Sequence, residues 1–239
     1  MQQLHGEDWL TSGYKRTFDV LTSISLLAPG SAMAFSGAVL ISAIDRVNPH
    51  FSQTRKGYGS EPFRIHKLRT MPREMTDKLS TGHDDCRASK LGRLLRRTRI
   101  DELPQLYNVL RDDMSLVGPR PLTHAAYESV MDTLNRHDQK EWRHARQIAK
   151  PGIIDSYGAQ LYLGGHQHDR ATADIVYAQE ASLKTDLRLV AAGLKIFANA
   201  ATGNMTPLVT EPSVINIPQQ RVGVDQLTAD SLVAASLQM

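Results

Sequence analysis

Apolar side chains first concentrate in one long segment near the start of the chain. Residues Val20 to Ile44 include no Asp, Glu, Lys or Arg, and basic residues lie on both sides. At about 1.5 Å of rise per residue, a straight helix of this length would span the roughly 30 Å hydrocarbon core of a bilayer. Pro29 lies inside the segment, where a proline removes one backbone donor and clashes with the preceding turn. The pattern therefore predicts two short apolar helical halves that meet at a bend.

This Pro-broken segment has two interpretations. A bend between two apolar halves suits a re-entrant helix that enters and leaves the same leaflet, and flanking basic residues agree with both ends staying cytoplasmic. Alternatively, the segment is a core helix of a soluble protein that is rich in small residues. We favour the re-entrant membrane helix, over residues 15–46, after an N-terminal extension over residues 1–14.

The remaining pattern is mainly helical. Glycines and a proline among apolar positions in His50–Met71 predict extended segments joined by turns. Pro119 and Pro121 are helix breakers, so Ser115–Pro121 is expected to be a loop. The fold class that we expect is mainly α, or α+β at most, with a helical domain over residues 47–203 and a tail over residues 204–239. Helices are expected around Leu91–Leu95, from Asp101 onwards, within His124–Ala149 and within Ala171–Ala201.

Composition and charge exclude some classes of protein and favour an anionic partner. The 239 residues are 41% hydrophobic, which is too apolar for a disordered polyelectrolyte, and the single cysteine cannot form a disulfide scaffold. The net charge is only +3, but the stretch from His50 to Ala125 has six more basic than acidic residues. A cationic surface suits phosphate, a lipid headgroup or nucleic acid, although a solvated basic face would give the same count.

The adjacent carboxylates of Asp101 and Glu102 are the most informative pair in the chain. Four arginines lie within the eight residues before them. Two ionised neighbours repel each other, so they need compensating arginines or a bound divalent cation. Mg²⁺ is commonly held by one or two carboxylates together with substrate phosphates, and an Asp carboxylate can attack phosphorus to form an acyl phosphate. The alternative is that Asp101 caps a helix whose dipole Glu102 stabilises.

The sequence around this pair resembles the bacterial sugar transferases, the monotopic polyprenyl-phosphate hexose-1-phosphate transferases that initiate exopolysaccharide and glycoconjugate synthesis. The resemblance extends over about residues 14 to 200 and is most specific in its centre. The residues that carry it are Lys15-Arg16 with Asp19, then Gln53, Arg55, Gly57 and Phe63, the run Lys67–Met71, the run Asp101–Leu110, the run Asp113–Pro121, Lys150–Ile153, and Ser182-Leu183 with Asp186-Leu187.

The resemblance implies a mechanism and a location. Asp101 is the expected nucleophile on the phosphate that bears the sugar of a UDP-sugar, which releases UMP, and Glu102 is the expected ligand of a Mg²⁺ cofactor. Polyprenyl phosphate then takes the phospho-sugar from Asp101 in a ping-pong cycle. The expected location is the cytoplasmic face of the bacterial inner membrane, with membrane lipid and no nucleic acid as partners, and self-association is left open. Phosphate or substrate binding is assigned to Lys67, Arg69, Arg97, Arg111 and Arg120, and structural roles to Pro29, Pro119 and Pro121.

The chain departs from the family pattern at a few positions. Ser60 and Asp112 stand where members often have glycine, and Leu68 where they often have phenylalanine. Ile154-Asp155 stands where members usually have Thr-Gly. We expect this departure to affect the recognition of the sugar more than the transfer of the phosphoryl group. Two rival functions remain: a membrane scaffold for polysaccharide assembly that is non-catalytic or altered in its donor, and a soluble basic nucleic-acid binder.

Overall fold

A computed structural model describes residues 6–71, 87–163 and 169–202. Over these ranges the protein is mostly helical and has two small sheets, as the expected fold class predicts. The helices are α1 (Glu7–Leu10), α2 (Gly13–Leu40), α3 (Lys90–Arg97), α4 (Leu106–Leu110), α5 (His124–Thr133), α6 (Arg136–Ile148), α7 (Ser156–Tyr162), α8 (Arg170–Glu180) and α9 (Leu183–Thr202). The strands are β1 (His50–Lys56), β2 (Pro62–Leu68), β3 (Ser115–Gly118) and β4 (Gly152–Asp155).

The long apolar segment forms α2. The hydroxyl of Ser12 caps its first turn by accepting a hydrogen bond from the backbone N–H of Lys15 at 3.1 Å. A π-helical turn over Ile41–Asp45 extends the helix. The backbone is helical through Pro29, so the two apolar halves belong to one helix, and the bend that we predicted between them stays a prediction. A proline removes only one donor, and packing of α2 against the rest of the protein on both sides of Pro29 compensates for that loss.

Only one face of α2 packs against the rest of the protein. By length and composition, α2 with its π-helical extension could cross a membrane. Only 17% of its most apolar stretch is buried, however. The interpretation as a buried core helix is therefore wrong. The residues buried on the packed face are Lys15, Asp19, Ser23, Gly30, Gly37 and Ile41. The large apolar side chains exposed on α2 and the π-helical turn are Leu21, Ile24, Leu27, Phe35, Val39, Leu40 and Ile44, with Tyr14 near the helix start.

A buried ionic cluster joins α2 to the far end of the chain. The ammonium of Lys15 lies 2.9 Å from Asp19 Oδ1 and 2.9 Å from Asp186 Oδ2. Asp19 also accepts a hydrogen bond from the backbone N–H of Leu116 at 3.1 Å, and Tyr177 donates its hydroxyl to Asp186 at 2.9 Å. Lys15 and Asp19 at the start of α2 thus connect this helix to β3, α8 and α9.

Strands β1 and β2 form an antiparallel hairpin that confirms the predicted extended segments. Phe51 lies opposite Lys67, and Arg55 lies opposite Phe63. The connection includes Ser60 with φ of 70°, a left-handed conformation that glycine adopts more easily than other residues. The hairpin places Lys67 near the end of β2, next to the 3₁₀ helix that follows α3.

Strands β3 and β4 correct the prediction of a loop over Ser115–Pro121. Ser115–Gly118 is a fully buried strand that pairs in parallel with Gly152–Asp155. The two chains approach so closely that a Cβ on Gly152 would lie 2.1 Å from the backbone nitrogen of Gly118. Burial on both faces leaves no alternation of polar and apolar residues, so the pattern could not reveal the strand.

The other helices lie close to where the pattern predicts them. Helix α3 covers the predicted Leu91–Leu95 face, and α8 and α9 divide the range predicted over Ala171–Ala201. The range His124–Ala149 is divided into α5 and α6, because α5 ends at Thr133 with the extended residue Leu134 as its C-cap. Asn135 then caps α6 by accepting from two backbone N–H groups. The main core packs α5, α6 and α8 around the fully buried Trp142. The predicted tail over 204–239 lies outside the described residues.

Candidate active site

Asp101 and Glu102 lie on a short 3₁₀ helix, Ile100–Gln105, that leads into α4. Our interpretation of Asp101 as a helix cap is wrong, because the residue that precedes the helical turn is Arg99. Arg99 takes a left-handed conformation with φ of 55°. The 3₁₀ helix therefore begins at Ile100, one residue before Asp101. Both carboxylates are buried, with 7% and 6% of their residue surfaces exposed, so they lie inside the protein rather than on a solvated helix end.

Three basic side chains surround Glu102. Lys67 donates to Oε1 at 2.6 Å, and Arg99 donates to Oε2 at 3.1 Å. Arg120 lies 3.8 Å from Oε1. These cations come from β2, from the residue before the 3₁₀ helix and from the loop after β3, so residues far apart in sequence meet at one carboxylate. Burial alone would raise the pKa of Glu102, but Lys67, Arg99 and Arg120 together hold it well below its usual value.

Asp101 has a different environment, although it is the neighbouring residue. Its Oδ1 is buried, and no residue in the described ranges forms a hydrogen bond with it. Burial, with the negative charge of Glu102 as the second cause, raises the pKa of Asp101 to about 6. A buried carboxylate oxygen without a hydrogen-bond partner is unusual in native proteins and points to a reactive or ligand-binding atom.

Arg55 belongs to this basic cluster, and we did not assign it to the site from sequence. Its guanidinium donates to Gln53 Oε1 at 2.6 Å and to the carbonyl of Pro121 at 3.4 Å. Burial and the nearby charge of Arg120 lower the pKa of Arg55 to about 10. Arg99 was also missed as a site residue. The only sequence signals were the presence of Arg55 in the family resemblance and of Arg99 in the arginine-rich stretch before Asp101.

The loop after β3 holds Arg120 at the site through its main chain. The carbonyl of Pro119 accepts from the backbone N–H of Gly152 at 2.9 Å. The carbonyl of Arg120 accepts from Arg146 at 2.8 Å, and Arg146 is itself buried against Asp174 at 2.7 Å. Because backbone groups are fixed on both sides of Arg120, its guanidinium is directed towards Glu102. The structural roles assigned to Pro119 and Pro121 stay predictions.

The structure gives the other predicted phosphate ligands different surroundings. Arg69 donates to the carbonyls of Asn48 and His50, at 2.9 Å and 3.2 Å, and so fastens the chain before β1 to the end of β2. Arg111 is exposed beside Asp113, at 3.6 Å. Arg97 lies in the last turn of α3, four residues before Asp101. Of the five predicted phosphate ligands, the structure brings Lys67 and Arg120 into contact with Glu102.

The pair of carboxylates fits a shared magnesium site rather than a complete protein cage. Within the described part of the chain, no group of three or more His, Cys, Asp or Glu side chains could surround a metal ion. Mg²⁺ is commonly bound through one or two carboxylates, with substrate phosphates and water completing its shell. Each Glu102 oxygen keeps a lone pair beyond those engaged by Lys67 and Arg99, and Asp101 Oδ1 is unpartnered, so these residues fit such a site.

Comparison with known proteins identifies relatives of this chain. The chain is 37% identical over 183 residues to a UDP-glucose:undecaprenyl-phosphate glucose-1-phosphate transferase of Caulobacter vibrioides, covering 74% of this chain and 66% of the relative. It is 34% identical to an undecaprenyl-phosphate glucose phosphotransferase of Komagataeibacter xylinus, over 74% of this chain and 34% of the relative. It is 32% identical to the exopolysaccharide production protein PSS of Rhizobium leguminosarum, over 74% and 90%.

The chain spans less than two thirds of the length of the first two of these relatives. The family described as bacterial sugar transferase matches residues 10–200, which include α2, both sheets and the carboxylate pair. A match over so much of the chain agrees with the resemblance in the central motifs. This protein therefore belongs to the bacterial sugar transferase family.

Proposed function

We propose that the protein transfers a sugar-1-phosphate from a UDP-sugar to polyprenyl phosphate and releases UMP. The observation that carries the proposal is the unequal treatment of two adjacent buried carboxylates. Glu102 is bound by cations on both oxygens, whereas Asp101 keeps a buried oxygen that no described residue engages. The three relatives, which include two named undecaprenyl-phosphate transferases, support the same reaction class.

The first step forms a covalent intermediate. An oxygen of Asp101 attacks the β-phosphorus of the UDP-sugar, which bears the sugar, and the bond from that phosphorus to the bridging oxygen breaks. UMP leaves with this oxygen and its electron pair, and an aspartyl phospho-sugar remains. In the second step a phosphate oxygen of polyprenyl phosphate attacks the same phosphorus. The bond to Asp101 breaks, the carboxylate is restored and a polyprenyl diphosphate sugar is released.

The basic cluster has a definite task in both steps. The diphosphate and the prenyl phosphate are both anionic, and negative charge on the transferred phosphoryl oxygens must be stabilised while bonds form and break. Arg120 is about one-third exposed at its side chain, so its fork of N–H groups can reach a substrate while it remains near Glu102. Lys67 and Arg99 hold Glu102 in place, and they keep it ionised beside Asp101.

Magnesium completes the proposed site. Glu102 would hold the ion through its free lone pairs, together with oxygens of the bound diphosphate. When bound, the ion would supply charge neutralisation for the phosphates and for the leaving group. The protein's own part is to keep Glu102 deprotonated, through its three basic neighbours, so that this oxygen set is ready for a hard cation.

We propose a monotopic attachment of the protein to the cytoplasmic face of the bacterial inner membrane through α2. The exposed face of α2 carries large apolar side chains, while its other face packs against the catalytic elements on both sides of Pro29. A straight crossing would draw those elements, with their buried charges, into the hydrocarbon core, where charged groups are costly. Entry of α2 into one leaflet, re-entrant as the family resemblance implies, avoids this cost.

Membrane topology can be tested apart from chemistry. Single cysteines are introduced at Tyr14 and at Arg46, on either side of the apolar stretch, in a Cys86→Ser background. A membrane-impermeant maleimide should label both sites only after the cells are permeabilised. Labelling of one site in intact spheroplasts would show that α2 crosses the membrane and would overturn monotopic attachment.

The reaction is tested with detergent-solubilised protein, Mg²⁺, polyprenyl phosphate and a panel of UDP-sugars, with UMP release as the readout. We expect release with at least one donor. Without acceptor, sugar label should remain on the protein in a form that hydroxylamine removes, as for an acyl phosphate. Asp101→Asn should lower turnover by about three orders of magnitude or more, the scale for loss of a nucleophile. Asp132→Asn, at an exposed carboxylate on α5, is the matched control.

Two outcomes would contradict the proposal. If Asp101→Asn released UMP as fast as the control, Asp101 would not be the nucleophile. If the unaltered protein released no UMP from any UDP-sugar, the scaffold interpretation would replace the enzymatic one. Binding of the protein to assembly partners with unchanged affinity in the Asp101→Asn variant would then be expected.

A further inference from the structure

Strand β2 has one edge that no other strand covers. Its opposite edge pairs with β1, and the part of the chain that the structure describes adds no third strand to this sheet. The open edge presents the carbonyl of Arg64 and the backbone N–H of His66, on either side of Ile65, which is only 1% exposed. Backbone groups beside so deeply buried a residue need hydrogen-bond partners from elsewhere in the protein.

The side-chain amide of Asn108 supplies both partners. Its Nδ2 donates to the carbonyl of Arg64 at 2.8 Å, and its Oδ1 accepts from the backbone N–H of His66 at 3.3 Å. A carboxamide presents one acceptor and a donor, as a peptide group does, so the fully buried Asn108 takes the place of a neighbouring strand. Asp113 fixes the orientation of the amide, because its ionised Oδ2 can only accept the second N–H of Nδ2, at 3.3 Å.

Asn108 lies on the helical segment that carries the carboxylates. The 3₁₀ helix with Glu102 passes directly into α4, which includes Asn108. On the facing strand, Lys67 follows His66, and its ammonium donates to Glu102 Oε1 at 2.6 Å. The same two elements are therefore joined twice, once by the amide of Asn108 on the backbone of β2 and once by the ion pair in the site.

Apolar packing strengthens the first of these two connections. Ile65, which lies between the two backbone groups that Asn108 binds, forms an apolar cluster with Val109 and Met114. Val109 follows Asn108 on α4, and both residues are fully buried. These contacts fix the position of β2 along α4, and the side chain of Lys67 extends from that strand.

We propose that Asn108 is a positioning residue for the transfer reaction, because it holds β2 where the ammonium of Lys67 meets Glu102. The inference rests on the proposed function and adds a residue that acts on its site through Lys67. Displacement of a reacting or binding group by about 1 Å can lower a rate by two orders of magnitude. The alternative is that Asn108 only satisfies two backbone groups and contributes to stability alone.

The test is a double-mutant cycle, measured as the rate of adduct formation from UDP-sugar with Mg²⁺ and without acceptor. Asn108→Ala should lower this rate by about tenfold when Lys67 is present. In a Lys67→Met background, Asn108→Ala should lower the rate by less than about twofold, because the contact that Asn108 positions is already lost. A role in stability alone would give the same factor in both backgrounds. Single-turnover labelling can be followed for hours, so slow variants remain measurable.

Asn135→Ala is the matched control. Asn135 also bonds two backbone groups through its amide, but at the exposed start of α6. Its loss should lower Tm, as loss of a helix cap does, and should leave the rate of adduct formation within about twofold in both backgrounds. Asn108→Asp is a second variant for the case that Asn108→Ala does not fold. It keeps an oxygen for His66 but loses the donor to Arg64, so we expect the same two factors as for alanine.

The outcomes separate this inference from the proposed function. An equal loss of rate in the two backgrounds, or a rate for Asn108→Ala within about twofold of the Asn135→Ala control, would overturn the positioning role and leave the proposed function intact. Absence of both UMP release and adduct from the unaltered protein would overturn the proposed function, and the positioning role with it.

Discussion

Replacing Lys15 by methionine removes the cation that joins α2 to α9. Its ammonium lies 2.9 Å from one oxygen of Asp19 and 2.9 Å from one oxygen of Asp186. The three side chains are between 0% and 5% exposed, so water cannot replace the lost charge. Methionine has a similar length and shape, which leaves the change of charge as the main perturbation.

The expected loss of stability follows from the groups left behind. Removing one partner of a buried ion pair costs about 3–5 kcal/mol, because the remaining charge is uncompensated. Here two carboxylates lose the same cation, but each keeps other donors. Asp19 keeps the backbone N–H of Leu116, and Asp186 keeps Trp9 Nε1 at 3.0 Å. These remaining hydrogen bonds keep the expected cost within that range rather than above it.

The assay is thermal unfolding of the detergent-solubilised protein. For a chain of this size, 1 kcal/mol corresponds to about 2–4 °C in Tm, so we expect a fall of about 6–20 °C. Lys184→Met, at an exposed lysine of α9, is the matched control and should shift Tm by less than about 2 °C.

A double variant separates charge from packing. Adding Asp186→Asn to Lys15→Met removes one of the unpaired charges, while the amide oxygen can still accept from Trp9. Part of the lost Tm should therefore return. If Lys15→Met unfolded at the same temperature as Lys184→Met, or if the double variant were less stable than the single one, the electrostatic explanation would be refuted.

Three other predictions concern backbone conformation and the site. Ser60→Gly should stabilise the protein by about 1 kcal/mol, measured as a rise in Tm, because a φ of 70° disfavours a residue with a side chain. Asp112→Gly should raise the stability less, because the lost carboxylate of Asp112 forms ion pairs with Arg16 and Lys150. Gly118→Ala should destabilise it by about 3 kcal/mol in the same assay, because a Cβ would lie 2.2 Å from a backbone oxygen. In the metal-free protein, Asp101 should become protonated as pH drops through about 6, measured as the infrared carboxyl band that Asp101→Asn removes. Glu102→Gln should move this midpoint to lower pH; a midpoint that did not move would exclude the charge of Glu102 as a cause.

Local sequence patterns made most of the fold predictable. An uncharged apolar run indicated α2, glycines and a proline among apolar positions indicated the hairpin, and helical spacing indicated the two C-terminal helices. The parallel pair of β3 and β4 could not be found in this way, since each strand has only four residues and both are largely buried. The departures at Ser60 and Asp112 do have a structural counterpart, because both residues take the positive φ that glycine would favour.

The site was predictable only in part, and the reason is geometric. The resemblance located Asp101, Glu102, Lys67 and Arg120, which the structure brings together. It did not assign a role to Arg99, because its contact with Glu102 depends on a left-handed backbone conformation that no spacing rule predicts for arginine. For Lys67 and Arg120, the long-range pairing of strands and loops, rather than a local pattern, decides the contact with Glu102.

The conformation at Arg99 also explains how two adjacent acids acquire different chemistry. In sequence, Asp101 and Glu102 carry the same charge and have the same neighbours. In the structure, Lys67, Arg99 and Arg120 all lie on Glu102, whose pKa falls, while Asp101 keeps an unengaged oxygen and a pKa raised to about 6. A well-compensated carboxylate is a stable ligand for a cation, and a carboxylate that lacks hydrogen-bond partners is more reactive towards phosphorus. Under the proposed function, this distribution of three cations over two neighbouring residues would make Glu102 the metal ligand and Asp101 the nucleophile.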